Sequence, residues 1–261
     1  VPVRVYQPRS PSAGGRKGVM FLHGGGWMFG SIDTYDILCR YISKETETVV
    51  VSVGYRLTPE HRYPAGFEDC LNATVHFLET AQEYGVDPSS VIIAGDSAGG
   101  NLTAAVCQSL VNKTNLPKPL AQVLIYPAVQ MIDFDLPSYQ QNRAVPILYR
   151  ERAVFYMLNY ICDDLNVLEA TCSPLLAEDS VIRLQPKAYI LTCEFDVLRD
   201  DGLLYKKRLE SNGVPVTWYH VQDGFHGIVS FFDNGSLSFP SGKLAVDSIT
   251  SYIKKIINAF K

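Results

Sequence analysis

"VIIAGDSAGG", residues 91 to 100, decides how this chain is read. The run Val91 to Ala94 is apolar without alternation, as in a strand buried on both faces. Gly95-Asp96-Ser97-Ala98-Gly99 follows, a Gly-x-Ser-x-Gly pattern, and the stretch from Ala98 to Val111 is helical in character. A sharp strand-to-helix turn lifts the serine hydroxyl above the sheet. Small neighbours avoid clashes in that strained turn, and the helix N-terminus adds a positive field at Ser97. A glycine-rich turn carrying a surface serine is the plainer reading. The strand before and the helix after favour the first.

A serine hydroxyl is a poor nucleophile without a base. The chain has five histidines. His76 lies inside a helical stretch and His220 inside a strand, which suits structural roles. His61 sits in the loop "TPEHRYPA" and His23 borders three glycines. His226, in "QDGFHGI" just past the last strand, is the candidate base, at the edge where Ser97 emerges. The acid belongs in the loop after "AYILTCEFD", where Asp196 is the first aspartate. Glu194 is its rival, although strand alternation can turn it away. Asp200 and Asp201 precede a helix and read as capping residues. The chain order serine, acid, histidine is the one this strand-turn-helix context calls for. A histidine base must be neutral to take the serine proton, so kcat/KM is expected to fall toward acid pH.

"GVMFLHGGGWMFG", residues 18 to 30, fits the same chemistry. Acyl transfer develops negative charge on a carbonyl oxygen. Backbone N–H groups aimed at that oxygen contribute roughly 3–4 kcal/mol each. Gly25 and Gly26 offer two such donors, with no side chain to block approach, and Ala98, just after the serine, offers a third. A phosphate-binding loop is the competing account, but no Gly-Lys-Ser/Thr follows.

Composition narrows the class. The 261 residues are 47% apolar and 19% charged, with net charge −4. That describes a globular domain with a sizeable core and excludes nucleic acid as a partner. The longest apolar runs fall far short of the roughly 20 residues that span a bilayer. Six cysteines are scattered without Cys-x-x-Cys pairs or zinc spacing and read as buried thiols, so no metal site is expected. Sequons stand at Asn72, Asn101, Asn112 and Asn234.

Strand-like runs alternate with helical stretches along the whole chain. "VPVRVYQP", "GVMFLHG", "ETVVVSVGY", "VIIAGDS", "QVLIYPA", "AYILTCEFD" and "VTWYHV" are the strands. Helices are expected from Phe67 to a stop at Gly85, and over Ala98–Val111, Gly202–Ser211 and Leu244–Phe260. This rhythm predicts one α/β domain over residues 1–261, a mostly parallel sheet with helices on both faces. Residues 129–185 break the rhythm. They contain one amphipathic stretch, Glu151 to Cys162, and are expected to form a lid at the carboxyl end of the strands.

"HGGGW", "YRLTPEHRYPA", "GDSAGGN", "FDVLRDDG" and "DGFHG" together resemble the hormone-sensitive lipase family of α/β-hydrolases. "GVDPSSVIIAGDSAGG", "AQVLIYPAVQ" and "VTWYHVQDGFHGIVSFFD" are most similar to its arylacetamide deacetylase-like branch. The resemblance implies the α/β-hydrolase fold and hydrolysis of carboxylic esters and some aryl amides without a cofactor. It implies Ser97 as nucleophile, Asp196 as acid, His226 as base, and Gly25, Gly26 and Ala98 as the oxyanion hole. It also implies a glycoprotein whose catalytic domain lies in the lumen of the endoplasmic reticulum, held to the membrane by an amino-terminal helix not contained in this sequence. The stretch between the Glu151–Cys162 helix and Pro174 is shorter than in that family. The acyl pocket is therefore expected to be incompletely covered, to favour short acyl groups, and to leave an apolar patch exposed. Two other readings are a ligand-binding homologue without catalysis and an inactive truncated product; the presence of His226 argues against the first.

Overall fold

Each central strand buries both of its faces, and the two faces feed different layers. Met20 and Leu22 point to one side and Val19 and Phe21 to the other, all at zero exposure. Such a strand needs a helical layer above and below it. The computed structural model describes residues 1–10 and 15–259. In chain order its main elements are β1 (Val3–Tyr6), β2 (Arg16–Leu22), α1 (Asp36–Thr46), β3 (Val49–Val53), α2 (Ala65–Thr80), β4 (Val86–Asp96), α3 (Ala98–Ser109) and β5 (Ala121–Ile125). Then follow α4 (Pro137–Gln141), α5 (Arg150–Tyr160), α6 (Asp179–Ile182), β6 (Ala188–Phe195), α7 (Arg199–Ser211), β7 (Val216–Phe225) and α8 (Pro240–Asn258).

The strands form one seven-stranded sheet in the order β1-β3-β2-β4-β5-β6-β7. Only the edge strand β1 runs antiparallel to its neighbour; the other pairs are parallel. Helices α2 and α3 pack on the face carrying Met20, Leu22, Val91 and Ile93. Helices α1 and α8 pack on the face carrying Val19, Phe21, Ile92 and Val123. Helix α7 meets Leu124 and Ile190 through Tyr205 and Leu209. The α/β architecture with helices on both faces is as the sequence led us to expect.

Element ends differ in instructive ways. Helix α7 starts three residues before Gly202, at Arg199, and α8 starts at Pro240, whose fixed φ suits a first turn. Phe260, the expected end of α8, lies outside the described residues. Helix α1 was not expected from the sequence. Its buried seam is Leu38, Cys39, Ile42, Ser43 and Thr46. The last two are polar and satisfy themselves locally: the Ser43 hydroxyl donates to Thr48 O and the Thr46 hydroxyl to Ile42 O, at 2.9 and 2.7 Å.

Residues 129–185 add no strand, and hold α4, α5, α6 and two short 3-10 turns. Helix α5 lies over the carboxyl ends of the strands. It turns Ala153, Tyr156, Met157 and Tyr160 inward, three or four residues apart as a helical face requires. Phe155 and Leu158 on its other face are about half exposed, at 51% and 54%.

Candidate active site

Strand β4 ends at Asp96, and the chain turns at Ser97 with φ 56° and ψ −119° before entering α3. This backbone is unfavourable for a residue with a side chain. The surroundings hold it there: Ser97 N–H donates to Ile125 O at 2.8 Å, and Ser97 O accepts from Asn101 N–H at 3.0 Å. The packing admits no Cβ at Gly95 or Gly99. One on Gly99 would lie 2.0 Å from Leu22 O, and one on Gly95 2.3 Å from Gly99 O.

The turn aims Ser97 at a histidine from the far end of the chain. The Ser97 hydroxyl donates to His226 Nε2 at 2.8 Å, and His226 Nδ1–H donates to Asp196 Oδ2 at 2.8 Å. Asp196 has zero exposure, and its other oxygen accepts Leu198 N–H at 2.8 Å. That bond closes a turn just before α7, whose N-cap residue, Leu198, makes no side-chain cap; the capping expected of Asp200 and Asp201 is not found. Both of those sit inside the first helical turn instead. Asp200 pairs with Arg199 at 3.0 Å and accepts Ser138 N–H at 2.8 Å. Asp201 is fully buried, and burial holds its carboxyl well above the usual range. Glu194, the alternative acid, faces away and pairs with Arg199 and His220, each at 3.0 Å. His220 also meets the Thr192 hydroxyl at 2.9 Å, a structural role as expected.

The glycine loop lies beside this line of side chains. Gly25 has φ +119° and Gly26 φ +62°, both at positive φ, where residues with a Cβ are rarely found. A Cβ on Gly25 would sit 2.2 Å from Phe29 O, and one on Gly26 2.5 Å from the Tyr156 ring. No hydrogen bond among the described residues takes up the N–H groups of Gly25, Gly26 or Ala98. All three residues line the same cavity as Ser97 and His226.

Several residues that position this loop were not singled out by the sequence. Asp96 Oδ1 accepts Gly24 N–H at 2.8 Å, and Asp96 Oδ2 accepts the Tyr35 hydroxyl at 2.8 Å. The residue before the candidate nucleophile thus pins the loop beside it. Asp96 is fully buried, which pushes its carboxyl up to about 6 against the pull of Tyr35 and Gly24. His23 stacks on Tyr55 at 4.3 Å, and its Nδ1 meets Gly24 O at 2.8 Å. Burial lowers the His23 imidazole to about 4, so it stays neutral. The only sequence signal for these roles is adjacency to the two motifs.

The cavity above Ser97 holds about 210 Å³. Its walls are mostly apolar: Met131, Phe134, Leu148, Met157 and Phe231 among them. A wall of this kind accepts an uncharged acyl or alcohol group and excludes water from the reacting bond. Among the described residues, no group of three or more His, Cys, Asp or Glu side chains is placed to hold a metal ion. No helix of the described residues is long and apolar enough to cross a membrane.

Comparison with known proteins places this geometry in a family. Residues 19–230 match the alpha/beta hydrolase fold family. The chain is 43% identical to human arylacetamide deacetylase-like 4, over 98% of this chain and 76% of that protein. It is 37% identical to bovine neutral cholesterol ester hydrolase 1, over 97% of this chain and 77% of that protein. A carboxyl esterase 2 from the fungus Tuber melanosporum superposes with TM-score 0.90 at 30% identity, covering 98% of this chain and 82% of that one. The alignment with the human relative runs to 311 positions, longer than this chain, so that relative has internal residues with no counterpart here. The chain belongs to the α/β-hydrolase fold family, on its arylacetamide deacetylase-like branch.

Proposed function

We propose that this protein is a serine carboxylesterase that works through an acyl-enzyme on Ser97. The observation that carries the reading is the unbroken line from the Ser97 hydroxyl through His226 to buried Asp196, both contacts at 2.8 Å, at the foot of an apolar cavity. Ser97 Oγ attacks the ester carbonyl carbon while His226 Nε2 takes its proton. Asp196 keeps Nδ1 protonated and stabilises the imidazolium. The carbonyl oxygen, now negative, receives the N–H groups of Gly25, Gly26 and Ala98. As the C–O bond breaks, the alcohol leaves with the proton from His226. Water then repeats the sequence and releases the acid. The names of the relatives support this class: it is a carboxylic ester hydrolase. Aryl amides and neutral lipid esters are the further substrate classes to be tried.

The same likeness supports a setting in the lumen of the endoplasmic reticulum, with membrane attachment through a segment outside this sequence. Of the four sequons, Asn101 is fully buried and spends its amide on Ala128 O and Cys172 O, both at 2.8 Å. Asn72, Asn112 and Asn234 are exposed and are the residues that a lumenal setting would glycosylate. The test of function is labelling with a fluorophosphonate followed by peptide mapping. The adduct is expected on Ser97, with hydrolysis of p-nitrophenyl acetate lost in proportion. Full labelling elsewhere, or hydrolysis that survives complete labelling, overturns the assignment.

A further inference from the structure

The segment "YRLTPEHRYPA", residues 55 to 65, contributes no side chain to the reacting line, yet it joins two parts of the site. Helix α5 presents Tyr156 and Tyr160, one turn apart, to two successive residues of the glycine loop. The Tyr156 ring lies directly on Gly26, so closely that a Cβ there would be 2.5 Å from it. The Tyr160 ring stacks on the Trp27 indole with centroids 4.5 Å apart and planes 14° from parallel. Trp27 has φ +58°, a conformation that a bulky residue holds only when its surroundings fix it.

Thr58 completes the link. It is 1% exposed. Its N–H donates to Trp27 O at 2.9 Å, and its hydroxyl donates to Asn159 O near the end of α5. The neighbouring carbonyls are taken in the same way: Tyr63 N–H donates to Tyr160 O at 2.7 Å, and Arg62 to Ile161 O at 3.2 Å. A helix end leaves its last carbonyls without internal partners. Here they are satisfied by the segment that also holds the backbone of Trp27.

We propose that Thr58 and Tyr160 are positioning residues for acyl transfer, fastening the lid helix to the glycine loop so that the Gly26 N–H is aimed before substrate arrives. The proposal rests on the assignment of Gly25 and Gly26 as oxyanion donors. Neither residue touches the reacting atoms; each acts through Trp27 and Gly26. Donors of this kind act when charge develops on the oxygen, so misaiming one lowers kcat and leaves ground-state binding nearly unchanged.

The experiment uses the full chain with Thr58→Val, Thr58→Ser, Tyr160→Leu and Tyr160→Phe. For each, kcat and KM on p-nitrophenyl acetate and butyrate, the fluorophosphonate labelling rate and the thermal midpoint are measured. Thr58→Val keeps the shape and backbone N–H and loses the hydroxyl; Tyr160→Leu loses the stack. Both are expected to lower kcat about tenfold or more on both esters, with KM within about twofold, and to slow labelling alike. Serine and phenylalanine are expected to stay within about twofold of the parent, since the Tyr160 hydroxyl has no partner among the described residues. Folded Thr58→Val with unchanged kcat, or with its whole loss in KM, overturns the proposal. It decides the matter even if Tyr160→Leu fails to fold. Labelling that persists in Ser97→Ala would instead overturn the acyl-enzyme reading on Ser97, and with it the roles of Gly25 and Gly26 beneath the proposal, whatever the Thr58 and Tyr160 variants show.

Discussion

Asp96→Asn separates the stability of this site from its chemistry. Burial pushes the Asp96 carboxyl from 3.8 to about 6, while the Tyr35 hydroxyl, the Gly24 N–H and the nearby His226 pull it the other way. The Tyr126 hydroxyl is the remaining group at hand, 3.5 Å from Oδ2. A raised carboxyl pKa means that the folded chain holds its proton to higher pH than the unfolded chain. Below about 3.8 the group is neutral in both states and costs nothing. As pH rises toward 6, ionisation increasingly favours the unfolded chain. Above that, the shift amounts to about 3 kcal/mol at ~1.36 kcal/mol per unit. Asparagine mimics the neutral acid. Its Oδ1 keeps the Gly24 N–H, and its amide finds the Tyr35 oxygen once that hydroxyl turns. The variant should therefore match the parent near pH 4 and exceed it by about 3 kcal/mol at pH 8, roughly 6–10 °C in Tm. Thermal melts of both proteins across pH 4 to 8 give the difference directly. A difference that stays flat with pH, or a variant less stable at pH 8, would show that the carboxylate is not held at a cost and would refute the reasoning.

Ser97→Ala is expected to lower ester hydrolysis by about 10⁴-fold or more with the fold retained, because the members of the line act as a unit; a tenth of parental kcat would reassign the nucleophile. Gly25→Val should lower kcat and also destabilise the fold measurably, since its Cβ meets the Phe29 carbonyl at 2.2 Å and φ is +119°; unchanged Tm and kcat would contradict the geometry. Along a series of soluble p-nitrophenyl esters, kcat/KM should rise by about fourfold per methylene, from ~0.8 kcal/mol each, over the first few carbons and then level off. A cavity of about 210 Å³ accommodates little more than that. A rise continuing to long chains would mean that α5 moves aside to admit them.

Much of this protein is legible in one dimension. Strand-to-helix rhythm fixes the α/β class because period-two and helical patterns depend only on neighbours in sequence. The proposed nucleophile Ser97 is marked by its turn, and the proposed oxyanion donors Gly25 and Gly26 by the absence of side chains. Asp196 and His226, the proposed acid and base, are picked out by chain order, because each lies just after a strand whose end faces the cavity. Other features escape that kind of reading. Helix α1 hides because Ser43 and Thr46 occupy its buried seam and satisfy their hydroxyls on nearby backbone carbonyls, Thr48 O and Ile42 O. Asp200 and Asp201 read as caps, but both lie inside the first turn of α7, which has no side-chain cap. Asp96 spans 72 residues to reach Gly24, and Thr58 spans 101 to reach Asn159. Only tertiary structure decides such roles. A hydrogen bond or a ring stack is set by distance and direction between elements, and local pattern carries neither.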